Sequence, residues 1–246
     1  MAFIWDGIKQ GWHLLVTGNP AVWHPVYITF KVTVVATLAA IVIGLPVGLL
    51  LGLGRFRGRG AGLAVANVGL NLPPVLVGLI LYLLMFPAAP LGRFHLLFTL
   101  HGVYLAQSIL AIPIVAALTA ASVRSLPRGL IDQARGFGAG RAQVWALALR
   151  EARVGVVLAI IAAIGSSLSE VGAVALVGGN LLGVDQTLAS ATLYTADQAQ
   201  YAEAVAIAIV LLGLILIVTA CLTALQSRRS DRSPGRLGRL RLNRAS

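Results

Sequence analysis

Five long apolar runs restrict what this chain can fold into more than any other feature. They lie at about residues 27–53, 63–86, 100–123, 154–177 and 204–225, and about 20 apolar residues cross ~30 Å of hydrocarbon as a helix. In lipid, a single segment satisfies all of its backbone polar groups only as a helix. A mean hydropathy of +0.89 agrees with burial in a membrane. The sequence therefore predicts an all-α, polytopic membrane protein with five core spans.

Basic residues are concentrated on one side of these runs. Arginine clusters at residues 55–59, 124–153 and 227–246 all fall on that side. The other side has three basic residues: Lys9, Lys31 and Arg93. Because cytoplasmic loops carry the excess of Lys and Arg, this pattern places the amino terminus outside and the carboxyl terminus in the cytoplasm. The net charge of +11 then indicates anchoring against anionic lipid, with no nucleic-acid partner.

The two ends of the chain flank a transmembrane domain that we place at residues 21–226. Residues 1–20 carry an apolar stripe at helical spacing, made of Ile4, Ile8, Trp12 and Leu15. This stripe predicts an amphipathic helix on the outer surface, which could lie on lipid or pack on the rest of the protein. Residues 227–246 are rich in Arg and Ser and predict a disordered basic tail in the cytoplasm.

The segment from residue 126 to residue 153 interrupts the apolar sequence between the third and fourth runs. It is too basic to lie in hydrocarbon and must project into the cytoplasm. Pro127 can begin a short helix, and Asp132 suits its first turn. A sharp turn into a second helix, with Phe137 at the tip, is permitted by three glycines: Gly136, Gly138 and Gly140. This projection could dock into a partner or pack on its own membrane domain, and physics alone favours neither.

Two of the apolar runs contain helix-breaking or polar residues at membrane depth. The second is broken at residues 71–74, where two prolines leave backbone carbonyls without donors, and the fourth changes character at residues 165–170. Such breaks persist only inside protein or beside a water-filled path. Candidate residues for a path or gate are Asn71, Pro73, Pro74, Val75, Ser166, Ser167, Ser169 and Glu170. Because a carboxylate at membrane depth is costly unless it is paired, Glu170 is expected to bond backbone or a neighbouring span at the bend.

Residues that could support catalysis or metal binding are few. Cys221 is the single cysteine, which excludes an intrachain disulfide, and the four histidines show no ligand spacing. A membrane enzyme would need a nucleophile, base or metal constellation that the sequence does not contain. An ATP-independent secondary transporter or channel would show internal repeats or a chain of membrane carboxylates. The stretch at residues 178–201 predicts an outer loop in which Asp185 and Asp197 are solvated or paired with an external protein.

Three stretches resemble one family of transport proteins. The residues Asp132-Gln133-Ala134, followed after three residues by Gly138, resemble the E-A-A-x-x-x-G motif of permease subunits in binding-protein-dependent ABC importers. Asp132 stands for the usual Glu and Gln133 for the first Ala. Residues 71–79 and 169–180 are similar to the corresponding segments of tungstate, molybdate and sulfate permeases. Together with residues 150–153, they are most similar to the tungstate branch.

The resemblance implies a fold, a function and a set of partners. The fold is that of type I ABC importer permeases, and the residues that couple to the ATPase are Asp132, Gln133, Ala134, Phe137, Gly138 and Ala139. The chain has no catalytic residue or cofactor of its own, because a separate ATPase subunit binds ATP and Mg. An external binding protein delivers the oxyanion, and a second copy of the chain completes a homodimer in the prokaryotic inner membrane. The implied substrate is tungstate, with molybdate or sulfate as the alternatives.

Overall fold

The computed structural model describes residues 2–127 and 129–230, which form helices and no strand. This result confirms the predicted all-α class. The α-helices are, in chain order, α1 (Ala2–Val16), α2 (Pro20–Ala39), α3 (Leu45–Leu53), α4 (Arg59–Gly69), α5 (Pro74–Met85), α6 (Leu100–Arg124), α7 (Leu130–Gly136), α8 (Arg141–Glu151), α9 (Arg153–Ser169), α10 (Gly172–Gly178), α11 (Leu188–Asp197) and α12 (Tyr201–Ser230). A π-helical turn, Ala40–Gly44, joins α2 to α3, and a short 3₁₀ turn, Gly92–Phe94, lies before α6.

Among the described residues, three continuous helices are long and apolar enough to cross a membrane. They span Pro20–Leu53, Leu100–Arg124 and Tyr201–Cys221. Two further pairs of helices pass the same test only when taken together. The α4 and α5 axes meet at 102°, and the α9 and α10 axes meet at 58°. Counting each bent pair as one span gives the five spans that the sequence predicts.

Helix α6 lies at the centre of the bundle and is contacted by most of the other long helices. Small buried side chains line the contacts among α2, α6 and α9: Ala36, Ala40, Ala111, Val115 and Ala163. A Cβ atom at Gly44 or Gly48 would lie 2.7 Å from a backbone oxygen of α6. Only glycine therefore permits this approach, which is the usual way in which membrane helices gain close contact.

The first span begins earlier than predicted. The structure starts α2 at Pro20, and the Asn19 side chain caps it by accepting a hydrogen bond of 2.9 Å from the Ala21 N–H. Asn at the cap followed by Pro is a strong helix-start signal. Hydropathy places the start of the span later, at about residue 27, because the residues before it are less apolar. At the other end of the bundle, α12 extends the predicted fifth span in both directions. Residues 231–246 of the predicted tail lie outside the described part of the chain.

The amino-terminal helix packs on the protein with one face, and two residues of its predicted stripe, Ile8 and Trp12, are exposed. Gly7 of α1 is buried against Val205 of α12, so α1 docks through a small residue. Ile8 and Trp12 are 41% and 71% exposed, and they point away from this contact. The side chains of Ile4 and Leu15 lie outside the description. One face of α1 therefore packs on the protein, while the exposed Ile8 and Trp12 are suited to an interface with lipid.

The region predicted as an outer loop is more ordered than expected. It contains α11, whose Leu188 N–H donates to Thr29 Oγ1 of α2 at 2.8 Å. Asp185 is fully buried, and its Oδ1 accepts a hydrogen bond of 2.6 Å from the Leu181 N–H. The prediction that Asp185 is solvated is therefore wrong, although Asp197 is exposed. Burial raises the pKa of the Asp185 carboxyl above its ordinary value.

Candidate functional site

The basic segment folds into two short helices joined by a glycine turn. We call α7, the turn and α8, residues 130–151, the hairpin. The Gly138 N–H donates to the Arg135 carbonyl at 2.9 Å, and the Ala139 N–H donates to the Ala134 carbonyl at 3.0 Å. These two bonds form a Schellman motif, in which Gly138 takes the left-handed conformation with φ +85°. The predicted pair of helices and glycine turn are both confirmed.

The tip of the hairpin presents an aromatic side chain to its surroundings. Phe137 lies in the turn, and its side chain is 93% exposed. On the far side of the turn, the Gln143 side chain accepts a hydrogen bond of 2.8 Å from the Gly140 N–H, which is one half of a capping box. Both ends of the turn are therefore fixed by hydrogen bonds. A large apolar side chain held out on a fixed turn is suited to filling a groove in a partner.

The root of the hairpin is anchored in the membrane domain. The buried side chain of Ala148 joins a core formed with α3, α6, α9 and the residue before α9: Leu49, Val123, Val156 and Ala152. Val144 of α8 is also buried. Leu126, Ile131, Trp145 and Leu149 pack around this core. A movement of the hairpin would therefore be transmitted directly to three helices of the bundle, because tightly packed groups move together.

Asp132 of the hairpin makes contacts that the sequence did not reveal. A nitrogen of Arg55 lies 3.4 Å from the Asp132 carboxylate, and a nitrogen of Arg135 lies 3.8 Å away. Asp132 also lies in the first turn of α7, where the helix dipole stabilises a negative charge. All three side chains are substantially exposed, so the ion pairs orient the hairpin more than they stabilise the fold. Gln133 is exposed, whereas Ala134 and Ala139 are half-buried.

A second arginine that the sequence analysis passed over closes the end of α3. Arg59 donates to the carbonyls of Leu51 at 2.7 Å and Gly52 at 2.9 Å. The last carbonyls of a helix have no partners within it, and a guanidinium satisfies them with charge-assisted hydrogen bonds. The turn at residues 54–58 brings Arg59 back to these carbonyls, which lie eight and seven residues earlier in the chain. No local sequence rule specifies this turn.

The two breaks in the membrane domain meet one another. Gly172 at the start of α10 lies against Val75 at the start of α5, and Gly78 lies against Ala173. A Cβ atom at Gly78 would be 2.7 Å from the Cα of Ala173. The structure therefore brings Val75 together with the segment that follows Glu170. Gly69, just before the first break, contacts Pro113 in the middle of α6.

The remaining candidate path residues lie around these breaks, and among them a hydrogen bond joins Ser169 to Ser166. Asn71 is exposed, and its N–H closes the end of α4 on the Val68 carbonyl at 3.0 Å. Pro73 is extended, and Pro74 opens α5. In α9, the hydroxyl of Ser169 donates to the carbonyls of Gly165 and Ser166. Ser166 is half-buried, Ser167 is buried and Ser169 is exposed.

Glu170 has the structural contact at the bend that the sequence predicts. One of its carboxylate oxygens accepts a hydrogen bond of 3.0 Å from the Ala173 N–H in the first turn of α10. This bond satisfies a helix N–H that would otherwise have no partner. The carboxylate of Glu170 also lies at the start of α10, where its negative charge is stabilised by the dipole of that helix. Among the described residues, no three His, Cys, Asp or Glu side chains are grouped as metal ligands would be.

Comparison with known families and structures adds to this geometry. Residues 44–231 match the model of the family described as "Binding-protein-dependent transport system inner membrane component". Among solved structures, the chain is similar to one titled "Inward facing conformations of the MetNI methionine ABC transporter", with a TM-score of 0.66 and 20% identity. The likeness covers 85% of this chain and 98% of that one. At this identity it shows the fold alone, and it confirms the predicted importer-permease fold.

Several curated proteins are similar to this chain along most of their length. A "Probable anion ABC transporter permease protein" of Haloferax volcanii is 37% identical, covering 86% of this chain and 92% of that protein. The "Tungstate uptake system permease protein TupB" of Peptoclostridium acidaminophilum is 28% identical, with 92% and 99% covered. Proteins named for molybdenum and sulfate transport also match, at 27% and 28% identity.

Proposed function

This chain belongs to the family of binding-protein-dependent transport system inner membrane components, and we propose that it is the permease subunit of an ATP-driven tungstate importer. Members of this family are transport components whose ATPase is a separate subunit, so the chain itself is not an enzyme. Family membership also implies an ATPase and an external binding protein as partners. Oxyanions are the class of substrate that the names of its relatives share.

The hairpin carries the proposal for coupling. Its exposed Phe137 is held on a turn fixed by the left-handed Gly138, and its root packs on three helices of the membrane domain. We assign contact with the ATPase to Asp132, Gln133, Ala134, Phe137, Gly138 and Ala139. When the ATPase pair closes on ATP and Mg, the hairpin is displaced, and its anchored root moves α3, α6 and α9 as a rigid group.

The two meeting breaks support a path for the anion in the membrane domain. Unwound backbone and half-helix starts can offer N–H groups to an anion at membrane depth. The candidate residues are Asn71, Pro73, Pro74, Val75, Ser166, Ser169 and Glu170. No Lys or Arg lies next to the breaks in the sequence, so anion contacts there would be weak and reversible, as conduction requires. Glu170 acts in this scheme by holding the start of α10.

Tungstate is favoured within the oxyanion class by the relatives that this chain matches over nearly its whole length. Two tungstate uptake permeases match 92% and 89% of the chain. The molybdenum permease of Escherichia coli matches 85%, and molybdate therefore remains the second candidate, followed by sulfate. Tungstate and molybdate are both tetrahedral dianions, so the external binding protein is expected to set most of the selectivity between them.

Charge and helix ends support the orientation in the membrane. The hairpin, the ends of α3 and α6 and the start of α9 share one core, and this end of the bundle carries most of the described arginines. By the positive-inside rule it is cytoplasmic, which places the amino terminus outside and the carboxyl terminus in the cytoplasm. Large apolar side chains are exposed on α5 and α12. We assign these surfaces to lipid and to a second copy of the chain in a homodimer.

ATP hydrolysis by the reconstituted complex tests the substrate and the class of transporter together. The permease, its ATPase and its binding protein would be placed in liposomes and supplied with tungstate, molybdate or sulfate in turn. We expect stimulation by the tungstate-loaded binding protein alone. Stimulation by molybdate or sulfate instead would refute the substrate but keep the importer. Anion uptake that needs no ATP would refute the importer in favour of a secondary transporter or channel.

A further inference from the structure

A cavity of about 460 Å³ lies between the hairpin and the ends of α3 and α6. We call it the arginine pocket. Its described lining contains four arginines, Arg55, Arg59, Arg124 and Arg135, and a single acidic residue, Asp132. The lining therefore has a formal charge of +3. A volume of this size is in the range of pockets that hold small molecules.

The charge in this pocket is only partly neutralised by the protein. Asp132 lies 3.4 Å from Arg55 and 3.8 Å from Arg135, so one carboxylate is shared between two guanidinium groups. Arg59 uses its contacts with Leu51 and Gly52 as a fixed anchor, and a guanidinium has five N–H donors. Converging guanidinium groups with donors to spare are suited to the oxygens of a phosphate group.

The remainder of the lining is apolar and lies where the spans end. Leu53 is the last residue of α3, and Val123 is next to the last residue of α6. Leu126 and Ile131 continue this apolar surface below the hairpin. The pocket therefore places basic groups beside apolar groups at the boundary between hydrocarbon and water. A phospholipid has the same arrangement, with a phosphate above glycerol and acyl carbons, and basic pockets between helix ends are known to bind anionic headgroups.

We propose that the arginine pocket binds the phosphate group of an anionic phospholipid and so ties the hairpin to the membrane helices. The pocket uses the side of α7 that faces α3 and α6, whereas Phe137 lies in the turn beyond α7. A bound headgroup would bridge arginines from α6, α7 and the turn after α3. The orientation of the chain in the membrane decides only which leaflet supplies the lipid. Because binding is measured in detergent, the test of the pocket is the same for either orientation.

Native mass spectrometry of the complete complex tests the proposal. The complex of this chain with its ATPase would be titrated in neutral detergent with phosphatidylglycerol or with phosphatidylcholine of the same acyl chains. We expect wild type to retain phosphatidylglycerol in preference to phosphatidylcholine. Arg55→Gln and Arg124→Gln should each weaken this binding about fivefold. Asp132→Asn should strengthen it, because it removes the competing negative charge.

Arg57→Gln is the matched control. Arg57 is exposed on the same turn as Arg55 but does not line the pocket. The binding of phosphatidylglycerol should therefore change less than twofold in Arg57→Gln, because the exposed Arg57 charge lies outside the pocket and is screened by salt. An equal loss in Arg55→Gln and Arg57→Gln would overturn the proposal, because it would show general attraction to a basic surface.

Two further measurements separate the other sources of negative charge. The first repeats the titration with inorganic phosphate at constant ionic strength and no added lipid. Phosphate binding that depends on Arg55 and Arg124, without any preference for phosphatidylglycerol, would overturn the lipid in favour of a free oxyanion. The second measures the ATPase that co-purifies with Arg55→Gln and with Arg124→Gln, two residues that are not assigned to ATPase contact. Loss of the ATPase with unchanged lipid binding would overturn the proposal and identify the pocket as a protein interface.

Discussion

The left-handed glycine in the hairpin provides the sharpest test of how the chain couples to its ATPase. Gly138 has φ +85°, and no atom lies within 4 Å of the position that its Cβ would take. A substitution there is therefore strained by the backbone and not by a clash. The left-handed conformation costs a residue with a side chain about 1–2 kcal/mol. For a β-branched residue such as valine, the cost lies at or above the upper end of this range. The undocked turn of Gly138→Val can relax to another conformation and must regain the left-handed one to dock, so we expect ATPase binding to weaken about 5- to 30-fold.

Gly136 supplies a matched control on the same hairpin. It is the last residue of α7, lies outside the left-handed region and also has open space around its Cβ position. Gly136→Ala should therefore leave ATPase binding unchanged, because alanine favours a helix over glycine. Gly138→Asn should restore much of the binding, since Asn tolerates the left-handed conformation better than other residues with a side chain.

The assay is the amount of ATPase that co-purifies with the tagged permease in detergent. Membrane insertion is checked in parallel from the amount of permease in the membrane fraction, which should not change. The reasoning is refuted if Gly138→Val retains as much ATPase as wild type. It is also refuted if Gly136→Ala and Gly138→Val lose the ATPase equally, because the left-handed turn would then have no special part.

Three further predictions concern the membrane domain. Gly78→Ala should force α5 away from Ala173, destabilise this contact by about 1–3 kcal/mol and impair uptake, whereas Gly165→Ala, with open space at its Cβ position, should leave uptake unchanged. Replacing Pro73–Pro74 by alanine should straighten the break before α5 and impair uptake without loss of the ATPase, and normal uptake would show that this break is not part of the path. Because burial raises the pKa of Asp185, its contribution to stability is present at acid pH and is lost as the pH rises through that pKa. Asp185→Asn should therefore raise the thermal midpoint at neutral pH and reduce its pH dependence, and an unchanged pH profile would contradict this.

Much of the fold was predictable because it follows from local and periodic features of the sequence. The apolar runs, the glycine turn and the exposed Phe137 each depend on residue types within a few positions of one another. The structural bond of Glu170 was predictable from its charge, which is costly at membrane depth unless it is used.

The rest depends on contacts between segments that are far apart in sequence. The angle of 102° between α4 and α5 follows from packing against α6 and α10, whereas prolines indicate only that a break exists. Asp185 was expected in solvent because it falls in a stretch that the sequence predicts as an outer loop. The small Gly178 instead allows its carboxylate to approach, and the carboxylate is buried. The pairing of Arg55 with Asp132 spans 77 residues. No periodicity in the sequence specifies such a contact.

Photocrosslinking tests directly whether the tip of the hairpin docks on the ATPase. Cys221 is the only cysteine, so Cys221→Ser provides a background for a single labelled position. A benzophenone label would be placed at Phe137→Cys or, as a control, at Leu182→Cys, which is also well exposed but lies at the opposite end of the bundle. We expect a photocrosslink to the ATPase from position 137 and none from position 182. An assembled complex with no crosslink from position 137, or with equal crosslinks from both positions, would contradict it.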